Sequence, residues 1–209
     1  AFEAFGHVMH LLEDANVPEH TRNDTHLPFH GAGSPYEKVM AKWNPQNFDI
    51  HKKLKNQGKK PVLFSNIEKY FDEIAGYSNG YFFSQDTIGI KRYSGPKIIK
   101  LKILRESDGL SLGIGKDKNG EEFPFTLVNT KVRRNLVEIK NSTLFSKEVS
   151  TQIIDGYWDR LSKDFVLHGS GALKLFLDQA EEFKEQYESQ RVEKPKSIFA
   201  RLGLISEST

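Results

Sequence analysis

The spacing of apolar residues changes twice along this chain of 209 residues. In the stretches from Phe2 to Leu12 and from Ile67 to Ile74, apolar side chains recur every three or four positions, which is typical of one buried face of a helix. From Pro96 to Leu144 they alternate instead, beginning with Ile99, Leu101 and Ile103, and alternation indicates strands. Helical spacing returns after Ser150. The chain is therefore predicted to be mainly α, a helical core that carries a small antiparallel β-meander insertion.

The same change of period predicts four parts. Residues 1–95 and 146–190 are expected to form the helical core, the second as a helical hairpin with its junction at Leu167-His-Gly-Ser-Gly171. Residues 96–145 form the meander, with hairpin turns at Ser107-Asp-Gly109 and Lys118-Asn-Gly120. Residues 191–209 read as a tail.

Composition removes several classes of site. The chain has no cysteine, which excludes disulfides and thiolate zinc sites and leaves histidine and carboxylate as the strong metal ligands. No apolar run is long enough to span a bilayer. The chain has no initiator methionine and opens inside a helical pattern, so we expect a fragment or a processed portion of a longer protein.

Five of the seven histidines lie between His7 and Glu37, among carboxylates. An apolar stripe predicts a first helix, formed by Phe2, Phe5, Met9 and Leu12.

On that helix His10 and Asp14 are four residues apart and share a face. Pro18 disfavours helical geometry at Val17, so the helix should end near Asp14 to Asn16 and His20 can turn back to the same pocket. Three such donors could hold zinc. A solvated helix face is the alternative reading of the pair, and His7 is expected to orient His10 or to face solvent rather than to bind metal.

The segment His10-Leu-Leu-Glu-Asp14-Ala-Asn-Val-Pro18-Glu-His20 resembles a motif of the zinc-dependent phospholipase C family. The wider group of that family includes single-strand-specific fungal nucleases. The resemblance implies that His10 binds one ion of a three-zinc cluster, that Asp14 bridges two ions as the catalytic residue, and that His20 holds another.

The family places a histidine and a glutamate four residues apart at the start of the next helix. Glu37 matches the glutamate, but Gly33 stands at the histidine position, so His30 or His26 would have to supply the missing nitrogen. Ser34-Pro-Tyr-Glu37 is also a capping box, which would explain Glu37 without any metal. The family's N-terminal tryptophan and its earlier histidine and aspartate ligands have no counterpart in this chain.

The resemblance implies a zinc-dependent hydrolase that cleaves phosphodiesters with metal-activated water. It implies two or three Zn²⁺ ions in the intact protein and fewer in this chain, which could by itself be inactive. A phospholipid or another phosphodiester would be the substrate, with peripheral membrane contact and a secreted or extracytoplasmic location. A single-strand nuclease-like zinc hydrolase acting on nucleic acid, and a catalytically silent zinc-containing surface-binding protein, are the alternatives.

Two further features remain open. Between Ile50 and Arg105 twelve basic residues face four acidic ones, a balance of +8, which could steer an anionic substrate. We favour a solvated linker, because aromatic residues do not interleave with the lysines. His168, at the expected hairpin junction, could be a late ligand, although a capping or packing role is the more common one for such a residue.

Overall fold

A computed structural model describes residues 1–24, 34–42, 49–88, 90, 92–93, 95–133, 136–143 and 150–192. The helices are α1 (Phe2–Ala15), α2 (Pro18–Thr21), α3 (Pro35–Met40), α4 (Ile50–Asn56), α5 (Ile67–Tyr81) and α6 (Ser150–Val192), with one 3₁₀ turn at Gln85–Thr87. The strands are β1 (Lys100–Arg105), β2 (Leu110–Lys116), β3 (Glu122–Arg133) and β4 (Leu136–Thr143). The described part of the chain has no helix both long and apolar enough to cross a membrane.

The four strands form one antiparallel sheet in the order β1-β2-β3-β4. This arrangement confirms the predicted meander. Gly109 and Gly120 have φ angles of +70° and +80°, which glycine adopts at no steric cost, so both predicted turns are present. Leu112 of β2 lies opposite Leu127 of β3, which places both on one face of the sheet.

The mainly α class is wrong, because the sheet is part of the main core rather than an appended insertion. Its buried residues form one apolar cluster with the first turns of α6 and with aromatic residues at the end of α5. The strands contribute Leu112, Ile114, Phe123, Phe125 and Leu127, and α6 contributes Ile153, Ile154, Tyr157 and Leu161. The fold is therefore mixed α and β, because a helix that follows the sheet in sequence covers the apolar face of the strands.

The predicted hairpin over 146–190 is also wrong, since α6 is continuous from Ser150 to Val192. Gly171 serves close packing instead of a turn: a Cβ atom there would lie 1.8 Å from the carbonyl oxygen of Val62. The backbone N–H of Val62 donates to the carbonyl of Leu167 at 3.1 Å. The segment before α5 therefore lies directly against the backbone of α6.

The chain forms two compact units, Ala1–Ala172 and Leu173–Thr209. The first contains the sheet and the packed helices. In the second, described for residues 173–192, the side chains of residues 173–190 are exposed or half-buried, and Phe183 is 71% exposed.

The apolar stripe predicted for α1 is buried only at its C-terminal end. Leu12 is fully buried as predicted, whereas Phe2 is 71% exposed because the stripe begins before the helix meets the core.

Tyr157 joins the sheet to the end of α5 through its hydroxyl group. The hydroxyl donates to the carbonyl of Phe125 at 2.7 Å and accepts the N–H of Phe83 at 3.1 Å. We expect Tyr157→Phe to lower the free energy of unfolding by about 1–3 kcal/mol, because two backbone groups lose their partner. Urea unfolding would measure this, with exposed Tyr187→Phe as the control, expected within about 0.5 kcal/mol of wild type. Equal stability of the two variants would contradict this role.

Close packing at Gly171 gives a second prediction. Gly171→Ala should lower the free energy of unfolding by about 1–3 kcal/mol, because the added methyl group cannot fit beside Val62 without moving α6. The matched control is Gly76→Ala in α5, where no atom lies within 4 Å of the new Cβ atom. That control should gain about 0.5–1 kcal/mol from helix propensity. A stabilising effect at both positions, measured by thermal unfolding, would exclude the close approach.

Candidate metal centre

The bend between α1 and α2 forms as the sequence predicts. α1 ends at Ala15, and Val17 is extended with φ −93° and ψ 119° before Pro18, the first residue of α2. Buried Asn16 anchors the bend, because its side-chain amide donates to the carbonyl of Leu161 in α6 at 3.1 Å. The chain therefore reverses within a few residues, and His20 faces back toward Asp14.

The start of α3 is held against α2 by a buried carboxylate. Ser34 donates its hydroxyl proton to Glu19 at 2.7 Å, and Glu19 is only 2% exposed. The same hydroxyl oxygen accepts the backbone N–H of Glu37 at 3.0 Å, which confirms the predicted cap. Glu37 consequently lies in the first turn of α3, beside His20.

These elements bring four predicted side chains into one group, which we call the His20 cluster: His10, Asp14, His20 and Glu37. His20 Nδ1 lies 3.4 Å from Asp14 Oδ1, and His20 Nε2 lies 3.2 Å from Glu37 Oε1. His10 Nε2 is 3.9 Å from Asp14 Oδ2, and its side chain is 70% exposed. The two carboxylates thus flank opposite edges of one imidazole ring, and His10 lies at the rim.

The described side chains offer zinc two ligands at a time rather than the three protein ligands of a catalytic zinc site. Two ligands of a tetrahedral zinc ion, each at about 2.1 Å, are about 3.4 Å apart, close to both short distances in the His20 cluster. Asp14 and Glu37 face different nitrogens of His20, so this ring orientation cannot bring all three to one ion. Within the described ranges, no three histidine or carboxylate side chains form a group that could hold a metal. The distances allow two alternative pairs, His20 with Glu37 and His20 with Asp14, whereas His10 and Asp14 are farther apart at 3.9 Å.

The other predicted ligands have different outcomes. His30, and with it His26 and Gly33, lies in residues 25–33, outside the described residues, so its proposed ligation stays a prediction. His7 is exposed on α1. His168 is not in the His20 cluster: it is 97% buried in α6, and its Nδ1 lies 2.9 Å from the carbonyl oxygen of Asp164.

Arg22 connects the end of α2 to the end of α5, and this role was not predicted from the sequence. Its guanidinium group is fully buried and donates to the carbonyls of Asn79 and Phe82, at 2.5 and 3.2 Å, and to the hydroxyl of Thr87 at 2.7 Å. Burial lowers the pKa of Arg22 from its ordinary value, and nearby Tyr157 opposes that shift.

Asn79 lies in the last turn of α5, which has no basic residue of its own, and Phe82 directly follows the helix. Carbonyls at such a helix end lack partners inside the helix and carry its partial negative charge, so a guanidinium group satisfies both needs. Arg22 is therefore a C-terminal cap for α5, supplied by the residue that directly follows α2. A lone arginine after a predicted turn gives no sequence signal for this role.

Comparison with models of protein families, with curated proteins and with solved structures found no match. Function must therefore be inferred from the side chains of the His20 cluster themselves.

We predict that zinc binding at the His20 cluster depends on the imidazole of His20. His20→Ala should lose at least one zinc ion per chain, because His20 contacts both carboxylates. Metal content measured by mass spectrometry after dialysis against trace zinc would test this. His51→Ala is the matched control, since His51 is an exposed histidine on α4 with a single carboxylate, Asp49, at 3.8 Å. Equal zinc content in wild type and His20→Ala would refute the assignment.

Proposed function

We propose that this protein is a zinc-dependent phosphodiester hydrolase resembling phospholipase C. One observation supports it most: a single imidazole has a carboxylate oxygen near each of its two nitrogens, at 3.4 and 3.2 Å. A neutral imidazole carries only one N–H, so it can donate to only one of the two. The other nitrogen and its carboxylate then face each other with lone pairs, which favours a cation between them.

A second proton on His20 or a zinc ion meets that requirement, and zinc is suitable because imidazole and carboxylate are both common zinc ligands. His20 Nε2 and Glu37 would supply two ligands, while Asp14 accepts the N–H of His20 Nδ1. A ligating histidine commonly donates its second N–H to a carboxylate, which fixes the tautomer and the ring orientation. The capped start of α3 and the Glu19–Ser34 bond hold Glu37 in place for this purpose.

Zinc bound there would lower the pKa of a coordinated water to about 7 and would neutralise charge on the phosphoryl oxygens. The chain itself supplies orientation. Asp14 Oδ1 is engaged by His20, whereas Asp14 Oδ2 lies 3.9 Å from His10, too far for a direct hydrogen bond. Asp14 Oδ2 is therefore the oxygen that can orient the attacking water and take its proton. In the hydrolysis an oxygen–phosphorus bond forms, the ester oxygen–phosphorus bond breaks, and the leaving alcohol gains a proton.

Partial exposure of the cluster suits a substrate that is larger than the cleft. The side chains of Asp14, His20 and Glu37 are 38%, 34% and 41% exposed, so the phosphodiester of a lipid headgroup could reach them from solvent. A nucleic acid phosphodiester meets the same requirement, and the two substrates are separated by assay.

The proposal predicts hydrolysis that depends on Asp14. Asp14→Asn should lower kcat by about 100-fold or more, the usual range for loss of a group that handles a proton, with a smaller change in KM. The assay would follow a choline phospholipid in micelles and, in parallel, single-stranded DNA, each with added zinc. Glu3→Gln, an exposed carboxylate at the other end of α1, is the control expected to match wild type.

Each outcome of the assay has a distinct meaning. Turnover of the lipid alone supports the phospholipase proposal, and turnover of DNA alone replaces it with the nuclease. Zinc bound through His20 without turnover of either substrate would refute hydrolysis and leave a zinc-containing binding protein.

A further inference from the structure

A second polar cavity lies within the first compact unit and shares no lining residue with the His20 cluster. Its volume is about 410 Å³, in the range of pockets that hold small molecules. Its walls come from four separate parts of the chain: α4 with the segment after it, α5, the β2–β3 turn and α6. Charged side chains make up most of the lining, so an apolar ligand would not suit it.

Backbone geometry fixes the wall that carries two lysines. α4 ends in a Schellman motif, in which Gly58 has a φ angle of +65° and Lys59 donates its N–H to the carbonyl of Leu54 at 3.0 Å. Three residues later Val62 is bonded to Leu167 of α6. The backbone of Lys59 and Lys60 is therefore held between two fixed points at the cavity, within the segment predicted to be a solvated linker, and both side chains are exposed.

Three acidic side chains of the cavity are each neutralised by a basic one. Asp117 accepts from Arg160 at 3.1 Å and Asp159 from Lys163 at 2.6 Å. Asp164, 7% exposed, is paired with Lys118, whose ammonium group also lies 4.3 Å from the ring centroid of Tyr77.

Lys59 and Lys60 differ from these paired residues, because neither has a carboxylate within ion-pair distance in the described part of the chain. Glu121, the remaining acidic residue of the lining, is 73% exposed and lies 3.9 Å from Arg160. The lining therefore carries five basic and four acidic side chains, a net charge of +1, and the two lysines without a carboxylate partner are adjacent in sequence, which favours an anionic group of the ligand beside them.

His168 of α6 also lines the cavity and is a different kind of polar group. Its Nδ1 must carry a proton to bond the carbonyl of Asp164, so in the neutral ring Nε2 is left as an acceptor. The ring is fixed by Phe64 and Tyr70, with centroids at 6.1 and 6.4 Å. A ring held this way can accept a hydrogen bond from a ligand hydroxyl, and the side-chain amide of Asn119 adds a second polar contact.

We propose that this cavity, bounded by Lys59, Lys60, Lys118 and His168, binds a phosphate monoester of a small hydroxylated molecule. The phosphate dianion matches the two lysines that have no carboxylate partner. The hydroxyl groups match the fixed imidazole and the amide. A bare phosphate would fill only part of the volume, and a polymer would not enter it.

Isothermal titration calorimetry with glycerol 3-phosphate, inorganic phosphate and glycerol would test the proposal on the full chain. Glycerol 3-phosphate should bind at least about tenfold more tightly than either component, since it alone can contact the lysines and the imidazole together. Lys59→Glu should weaken its binding by about tenfold or more. Lys55→Glu makes the same charge change in the same basic segment but outside the lining, and should bind within about twofold of wild type.

Three results would overturn the proposal. Equal weakening by Lys55→Glu and Lys59→Glu would show diffuse attraction to the basic surface. Equal affinity for inorganic phosphate and glycerol 3-phosphate would remove the hydroxyl contacts. Binding only to phosphatidylcholine vesicles that contain phosphatidic acid, and not to soluble glycerol 3-phosphate, would assign the lysines to a membrane surface. Phosphate held by zinc at the His20 cluster would be the same in all three proteins, so this test does not depend on the proposed hydrolase.

Discussion

Burial of the Arg22 charge is the constraint from which the rest of the site follows. Removing a guanidinium group from water costs several kcal/mol unless its donors are satisfied. In this protein Arg22 Nε donates to the hydroxyl of Thr87, and Nη1 donates to the carbonyls of Asn79 and Phe82. Arg22 also lies 5.4 Å from the ring centroid of Phe83 and 5.0 Å from that of Tyr93. Because Arg22 follows α2 directly, the cap fixes α2 on α5, and the position of His20 is fixed with it.

The buried carboxylate of Glu19 has the corresponding role toward α3. It is one residue before His20, and its bond to Ser34 joins the two short helices. Short helices of four and six residues have little stability of their own, so tertiary contacts must determine their orientation. A buried cation on one side and a buried anion on the other thus hold a partly exposed histidine between two carboxylates.

Local signals in the sequence predicted the local geometry of the site. Pro18 fixed the end of α1, Ser34 and Glu37 predicted the cap of α3, and Asn119-Gly120 predicted the turn between β2 and β3. Each depends on a few neighbouring residues whose conformational preferences are strong.

Long-range packing could not be predicted from such local sequence signals. Alternation indicated the strands but not which helix covers them, so the contribution of Ile153 and Tyr157 to the sheet core was missed. Gly169 and Gly171 resembled a helix break, because a sequence does not distinguish a glycine that turns the chain from one that admits another backbone. Arg22, and Asp117 and Asp164 of the second cavity, have partners at sequence distances of more than 40 residues.

The hydrogen bond from Asn16 to Leu161 couples the bend between α1 and α2 to α6. Arg160, Asp164 and His168, on the flanking turns of the same helix, line the polar cavity. An α-helix rises 1.5 Å per residue and is stiff along its axis, so an axial displacement at one turn is transmitted to the next. A shift of α6 by a fraction of an ångström would therefore alter both the bend that orients His20 and the spacing of the cavity walls. The helix makes the two places mechanically dependent on each other, although no side chain is common to both.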